Sequence, residues 1–152
     1  MCYKIPIQVT EIKLTYKSKV KAADRPQITC SRDAYMVLLS NWSEGIDLFE
    51  EFYILLLDRS NRAMGRYLVS QGGIAGTVVD AKLVFAAALK GRAASIVLAH
   101  NHPSGNLNPS QADIDLTRKL SKAGELLDIL VVDHLILSPE GGYYSFADEG
   151  LI

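Results

Sequence analysis

The sequence predicts an α/β fold of three layers, in which a mixed β-sheet is flanked by helices. Short apolar runs of strand length alternate along the chain with longer segments of helical periodicity, which is typical of a sheet covered by helices. Two of the runs are separated by the short polar segment 59–62, which indicates a hairpin. Hairpins pair strands antiparallel, whereas helical crossovers pair them parallel, so the predicted sheet contains both kinds of pair.

The composition is that of a globular protein with one core. The chain has 152 residues, of which 49% are hydrophobic and 22% charged. A net charge of −1 gives no electrostatic support for nucleic-acid or anionic-membrane binding, so nucleic acid is possible as a partner but unsupported by charge. No apolar run approaches a membrane span, and two cysteines without a C-x-x-C spacing fit reduced thiols in the cytoplasm.

We predict a boundary near residue 30. Residues 1–30 alternate apolar and polar side chains in two stretches and are interpreted as an N-terminal extended arm, and residues 31–152 form the folded domain. That domain should open with a helix, capped by the hydroxyl of Ser31. A glycine-rich loop is expected at 72–76. The helix predicted over 80–91 has Leu83, Val84, Ala87 and Leu89 in its apolar part. The predicted elements are, in order, helix 31–42, strand 50–58, strand 63–70, helix 80–91 ending at Gly91, strand 94–100, helix 109–127, strand 129–137 and a final extended segment 143–146.

Two histidines at the end of a buried strand are the main chemical signal. His100 and His102 stand two residues apart, so their side chains point to the same face of the strand. Pro109 suits the entry to a helix, and Asp113 would lie in the first turn of that helix, from which its carboxylate can fold back toward the histidines. Two imidazoles and one carboxylate leave a fourth tetrahedral position for water, as in catalytic zinc sites. Zinc would lower the pKa of that water to about 7 and polarise a carbonyl.

Each of these residues also has a simpler interpretation. A His-x-His pair alone is a weak signal, and Ser110 with Asp113 forms an S-x-x-D pattern typical of a helix capping box. The rival carboxylate Asp115 lies about 200° around the helix from Asp113 and should face elsewhere. For His134 we favour a packing or supporting role behind the ligands. Asn101 should point to the opposite face of the strand and hold the turn by hydrogen bonds.

The complete spacing is more specific than its parts: His-x-His, seven residues, Ser, two residues, Asp. It resembles the JAMM motif of the JAB/MPN metalloprotease superfamily. The string His-Asn-His-Pro-Ser-Gly followed by Pro-Ser-x-x-Asp is similar to the RadC-like branch, and the resemblance covers roughly residues 48–152. It implies the JAB/MPN fold, a three-layer architecture like that of cytidine deaminases.

The resemblance also implies a role for each matching residue. Ser110 matches the serine that hydrogen-bonds the zinc-bound water or the oxyanion. An upstream glutamate matches the general base that takes the water's proton and returns it to the leaving amine. Glu50 and Glu51 are both candidates and point to opposite faces of the strand; counting along the family's pattern favours Glu50, with Glu51 as a solvated charge at the strand edge. The residues that match the family's Zn²⁺ ligands are His100, His102 and Asp113.

The function expected from this resemblance is zinc-dependent hydrolysis of amide bonds, peptide or isopeptide, with an unidentified peptide or protein as substrate. The alternative is a RadC-like module associated with DNA repair that binds partners without turnover. Residues 1–47 are too short for the helix-hairpin-helix-type region of the longer RadC proteins, so this chain lends a repair role no support. A zinc nucleobase deaminase is weaker still, because it would need a P-C-x-x-C pattern. The oligomeric state stays open.

Overall fold

The computed structural model describes residues 8–73 and 77–152. Its elements are α1 (Ser31–Ser40), β1 (Glu51–Leu57), β2 (Ala63–Gln71), α2 (Ala81–Lys90), β3 (Ser95–Asn101), α3 (Gln111–Leu126), β4 (Leu130–Leu137) and β5 (Tyr143–Ser145), with a short 3₁₀ turn at Ala22–Asp24. The strands form a five-stranded mixed sheet in the order β2-β1-β3-β4-β5, with α1 on one face and α2 and α3 on the other. This confirms the predicted three-layer α/β class.

Strands β1 and β3 form the buried centre of the sheet. All seven residues of each strand are buried, as their continuous apolar runs predict for strands covered on both faces. β1 pairs antiparallel with β2 and with β3, β3 pairs parallel with β4, and β4 pairs antiparallel with β5. The helix α3 makes the crossover between the two parallel strands, so its N-terminus lies just beyond the end of β3.

The sheet has a separate hydrophobic cluster on each face. On one face, alternate residues of β1 and β3, such as Ile54 and Leu98, pack against Val84 of α2 and Leu120 of α3. On the other face, the intervening strand residues pack against α1. Truncating a fully buried leucine such as Leu98 to alanine would cost roughly 2–5 kcal/mol, because it loses transfer free energy and leaves a cavity.

The predicted cap of α1 is wrong. The N-cap is Cys30, and Ser31 is already the first helical residue. The Ser31 hydroxyl donates to Asp148 instead, at 2.6 Å. The carboxylate of Asp33 organises this helix start, since it accepts hydrogen bonds from both the backbone N–H and the hydroxyl of Thr29. A local sequence pattern carries no information about a hydrogen-bond partner that lies 117 residues away.

The predicted apolar face of α2 is also wrong in part. Leu83 and Leu89 are 43% and 51% exposed, and the buried positions are Val84, Phe85 and Ala88. Gly91 does end the helix, but with φ −74° it does not need the left-handed conformation. A Cβ at Gly91 would meet the end of the Leu56 side chain of β1, which would have to move, so glycine lets the helix end pack closely on the sheet.

The predicted N-terminal arm, residues 1–30, is extended only in part, because Ile28 is buried in the cluster that packs against α1 and Gln27 forms a bridge with Arg62. Residues 8–17 have no regular secondary structure, and Val9, Ile12 and Leu14 are exposed. The arm is fastened where the Tyr16 hydroxyl donates to the backbone carbonyl of Met64 in β2. The part of the arm prediction on residues 1–7, and part of the glycine-rich loop at 74–76, lie outside the described residues. Over 8–73 and 77–152, no helix has the length and hydropathy to cross a membrane.

Candidate metal centre

The C-terminal end of β3 brings two imidazoles together. Strand alternation places His100 and His102 on the face covered by α2 and α3. Their Nε2 atoms lie 2.9 Å apart. His100 is buried and His102 is half-buried, so one ring lines the floor of the site and the other reaches its rim.

Asp113 completes the cluster from the first turn of α3. Its Oδ1 lies 3.3 Å from Nε2 of His100, and its Oδ2 lies 3.7 Å from Nε2 of His102. The capping box is present as well, because the Ser110 side chain accepts from the Asp113 N–H while the Ser110 N–H donates to Asp113. The cap and the cluster therefore use the same carboxylate, and capping holds it toward the histidines.

The three side chains fit a zinc ion. Their candidate ligand atoms all lie within 4.8 Å of one another. Tetrahedral bonds of about 2.0–2.1 Å would separate the ligand atoms by roughly 3.3 Å, close to the separations found here. The remaining ring nitrogens are already engaged: Nδ1 of His102 donates to the carbonyl of Asn106, and Nδ1 of His100 lies 2.8 Å from Nε2 of His134. Both Nε2 atoms are thus the ones directed at a common point.

The electrostatics of the cluster favour a positive charge at that point. Burial by itself would raise the pKa of the Asp113 carboxyl, but hydrogen bonds from His100, His102 and Ser110 outweigh it and hold that pKa far below its usual range. The hydrogen bond with Asp113 raises the pKa of His102. An ionised carboxylate facing two imidazoles is the charge arrangement that a divalent cation requires.

The two adjacent glutamates have different surroundings. Glu50 lines the same cleft as the two histidines and Asp113. Glu51 is 3% exposed and accepts a hydrogen bond from the Ser43 hydroxyl at 2.6 Å, so the expectation of a solvated charge there is wrong. The reason is that the segment before β1 folds over this side of the strand and covers it.

The cleft around the cluster has a volume of about 340 Å³. Its walls combine polar groups with apolar side chains from β1, α3 and the segment before α2. Ser110 stands exposed at its rim. The residues that line the cleft are Glu50, Phe52, Thr77, Val79, His100, His102, Ser110, Ala112, Asp113 and Leu116.

Asn101, between the two histidines, points to the opposite face of β3, as the sequence predicts, but its side chain bonds to the chain around the start of β1 rather than to the turn after β3. It is fully buried. Its Oδ1 accepts from the N–H of Glu51, and its Nδ2 donates to the carbonyls of Ile46 and Phe49. These bonds fix the backbone on both sides of Glu50, so the strand that carries the histidines also positions the nearby carboxylate.

His134 lies behind the cluster rather than in it. It is fully buried, and burial lowers its pKa well below the usual value, which disfavours the charged ring. It contacts Nδ1 of His100 on one side and the Thr117 hydroxyl on the other. Sequence reasoning missed Thr117, whose one available signal was its place one helical turn after Asp113. Asp115 is exposed and bonds to Gln111, as expected.

Comparison with known proteins shows which family this chain is similar to. Residues 28–151 match the RadC-like JAB domain. A UPF0758 protein of Flavobacterium johnsoniae is 48% identical over 125 residues, which cover 82% of this chain and 53% of the relative. A UPF0758 protein of Porphyromonas gingivalis is 41% identical over 128 residues, covering 84% and 56%. The chain therefore spans about half the length of these curated relatives.

The fold and the cluster define a JAB/MPN-type domain. Within that superfamily, the chain belongs to the RadC-like JAB domain family.

Proposed function

We propose that this protein is a zinc-dependent hydrolase of amide bonds, with peptides or proteins as substrates. One observation carries the proposal. Two Nε2 atoms 2.9 Å apart and the carboxylate of Asp113 converge in one cleft, and a second carboxylate, that of Glu50, lines the same cleft. Metal-assisted hydrolysis needs a set of metal ligands and, beside it, a carboxylate that does not bind the metal and can act as a base.

His100, His102 and Asp113 would hold the ion. Zinc bound there would supply Lewis acidity, activating water at neutral pH and polarising the substrate carbonyl. Three protein ligands would leave the ion open to water and substrate. His134 would not be a fourth ligand, because its Nε2 faces His100 rather than the cleft.

Glu50 is the proposed general base. Its carboxylate would accept the proton of the attacking water and deliver it to the nitrogen of the leaving amine, which must leave in neutral form. The backbone on either side of Glu50 is held by Asn101, so little reorganisation is needed for this transfer.

Ser110 is proposed to assist at the carbonyl oxygen. Its hydroxyl has one proton, which here goes to Asp113 at 2.7 Å. Rotation about the Cβ–Oγ bond would redirect that proton to the developing negative charge on the substrate. The Ser110 backbone N–H would continue to hold Asp113 in place.

The shape and polarity of the cleft support a peptide or protein as the substrate. The cleft opens at the surface and has apolar walls beside the polar cluster, which suits a side chain or an extended peptide flanking an amide. The set of candidate ligands and base is complete, and this favours turnover over the alternative of a binding module associated with DNA repair. Salt-dependent DNA binding by the purified protein would favour that alternative.

The test uses substrates of both amide types. Zinc-loaded protein is incubated with a pool of tryptic peptides and with lysine-branched isopeptides, and new amino termini or released branches are measured by mass spectrometry. Glu50→Gln, also loaded with zinc, is the control for contaminating proteases. Products formed by the parent protein and absent with Glu50→Gln support the proposal. Equal products from both proteins, or none from either, contradict it.

A further inference from the structure

A ring of polar contacts, three of them hydrogen bonds, links two of the candidate ligands behind the cleft. The Thr117 hydroxyl lies 2.6 Å from the backbone carbonyl of Asp113 and 2.6 Å from Nδ1 of His134. Nε2 of His134 lies 2.8 Å from Nδ1 of His100. Nε2 of His100 then meets the carboxylate of Asp113 at 3.3 Å, so the ring begins and ends on Asp113.

The ring joins three elements. Asp113 and Thr117 lie one turn apart on α3, His100 lies on β3, and His134 lies on β4, the parallel neighbour of β3. Thr117, His100 and His134 are all buried, at 2%, 1% and 0% exposure. Water cannot readily replace a missing partner at these positions, so each proton must have an acceptor within the protein.

Metal binding allows one arrangement of protons in this ring. A His100 that ligates through Nε2 must carry its proton on Nδ1, and that proton faces Nε2 of His134. His134 must then accept at Nε2, so its own proton is on Nδ1 and faces the oxygen of Thr117. Because Thr117 accepts there, its hydroxyl proton goes to the carbonyl of Asp113. Every donor in the ring then has an acceptor.

We propose that Thr117 and His134 are positioning residues that fix the ring tautomer of His100 so that its Nε2 lone pair faces the metal position. The inference rests on the metal centre of the proposed function and is independent of whether the site turns over. Thr117 determines the direction of the ring, because a carbonyl oxygen can only accept and the hydroxyl has a single proton to give. In the reverse direction, the proton of His134 would lie on Nε2, and His100 would be left with a proton on the nitrogen that should bind zinc.

Removing the hydroxyl while keeping the volume isolates this effect. In Thr117→Val, the Nδ1 proton of His134 loses its acceptor in a buried site, so the arrangement required for metal binding is disfavoured. Loss of such a supporting partner weakens metal affinity by about 10- to 100-fold. Thr117→Ser keeps the hydroxyl and should bind zinc with nearly the affinity of the parent protein.

Zinc affinity is measured by competition with a chromophoric chelator for the parent protein, Thr117→Val, Thr117→Ser and Leu120→Ala. Leu120 is fully buried on the same helix and is outside the ring, so Leu120→Ala controls for general loosening of α3. The inference predicts weaker binding for Thr117→Val alone. Equal affinity for Thr117→Val and the parent overturns it, as does equal weakening in Leu120→Ala.

A second readout needs no variant. Long-range ¹⁵N–¹H NMR of the zinc-loaded parent protein assigns the protonated nitrogen of each imidazole. The ring predicts protonated Nδ1 on both His100 and His134, with slow exchange of both protons. A proton on Nε2 of His134 overturns the inference while leaving the metal centre intact. A parent protein that binds no zinc overturns the metal centre and the ring together, whereas zinc binding without hydrolysis contradicts the proposed activity alone.

Discussion

Phe52 and His100 are register partners across the antiparallel strands β1 and β3. Partners in such a pair present their side chains to the same face, and side chains alternate along each strand. Glu50, two residues before Phe52, therefore shares the face of His100, whereas Glu51 shares the face of Asn101. One pairing thus separates two adjacent glutamates that are chemically alike.

The first prediction concerns Glu51→Gln. The variant should keep both zinc and hydrolysis, because the amide oxygen can still accept the hydrogen bond of Ser43 and the side chain lies on the opposite face of the sheet. Glu50→Gln should keep zinc but lose roughly 10²- to 10⁴-fold in rate, which is the contribution of a general base. Rates and zinc content of both variants are compared at equal protein concentration. Loss of activity in Glu51→Gln, with activity retained in Glu50→Gln, would contradict the proposal that Glu50 is the general base.

The second prediction concerns the three hydrogen bonds made by the Asn101 side chain. Asn101→Ala removes three hydrogen bonds and leaves the buried N–H of Glu51 without its partner. We expect a loss of about 3 kcal/mol in the free energy of unfolding, measured by urea denaturation of the metal-free protein. Asn41→Ala removes a single exposed bond to the carbonyl of Val37 and should cost less than about 1 kcal/mol. Similar losses for the two variants would mean that the buried hydrogen bonds of Asn101 stabilise the fold no more than one exposed bond does.

The third prediction concerns the end of α3. A Cβ at Gly124 would collide with the backbone carbonyl of Ile129, which a side-chain rotation cannot relieve. Gly124→Ala should therefore destabilise the protein by about 1–3 kcal/mol in thermal or urea unfolding. Gly65→Ala is the matched control, because nothing lies within 4 Å of a Cβ built at Gly65. A stabilised Gly124→Ala would show that the turn after α3 has more room than its packing indicates.

The fourth prediction concerns pH and the turn between β1 and β2. The Asp58 carboxylate accepts from the N–H groups of Ser60 and Arg62 and pairs with Arg25 at 3.1 Å. Burial opposes ionisation, but these donors outweigh it and hold the pKa of Asp58 below its ordinary value of 3.8. A carboxyl group whose pKa is lower in the folded state stabilises that state at pH values above its ordinary pKa. This stabilisation is lost as the pH falls through the folded-state pKa.

Asp58→Asn should accordingly be less stable than the parent by about 1 kcal/mol near neutral pH. The difference should shrink as pH falls below about 4, where the parent carboxylate also becomes neutral. Urea unfolding of both proteins across this range measures it. A difference that is the same at neutral and acidic pH would mean that the charge of Asp58 adds nothing to stability.

The strands and helices could be predicted from the sequence because each long element has a clear period and a local boundary. The cluster of candidate ligands could be predicted because two of its members lie at the end of one strand and the third lies in the first turn of the next helix. The faces of α2 could not, since Leu83 and Leu89 are as apolar as the residues that are buried. The choice between Glu50 and Glu51 needed the register of β1 against β3. Thr117 needed the packing of α3 on β4, which brings its hydroxyl to His134.

The zinc content of the purified protein tests the metal centre most directly. It is measured by inductively coupled plasma mass spectrometry after zinc loading and gel filtration. Asp115→Asn is the control for His102→Ala, since Asp115 is a neighbouring carboxylate that faces away from the cluster. The parent protein and Asp115→Asn should each carry about one zinc ion per chain, and His102→Ala should carry none or lose it to a mild chelator. A parent protein without zinc, or a His102→Ala variant that retains it as firmly as the parent, would contradict the metal centre.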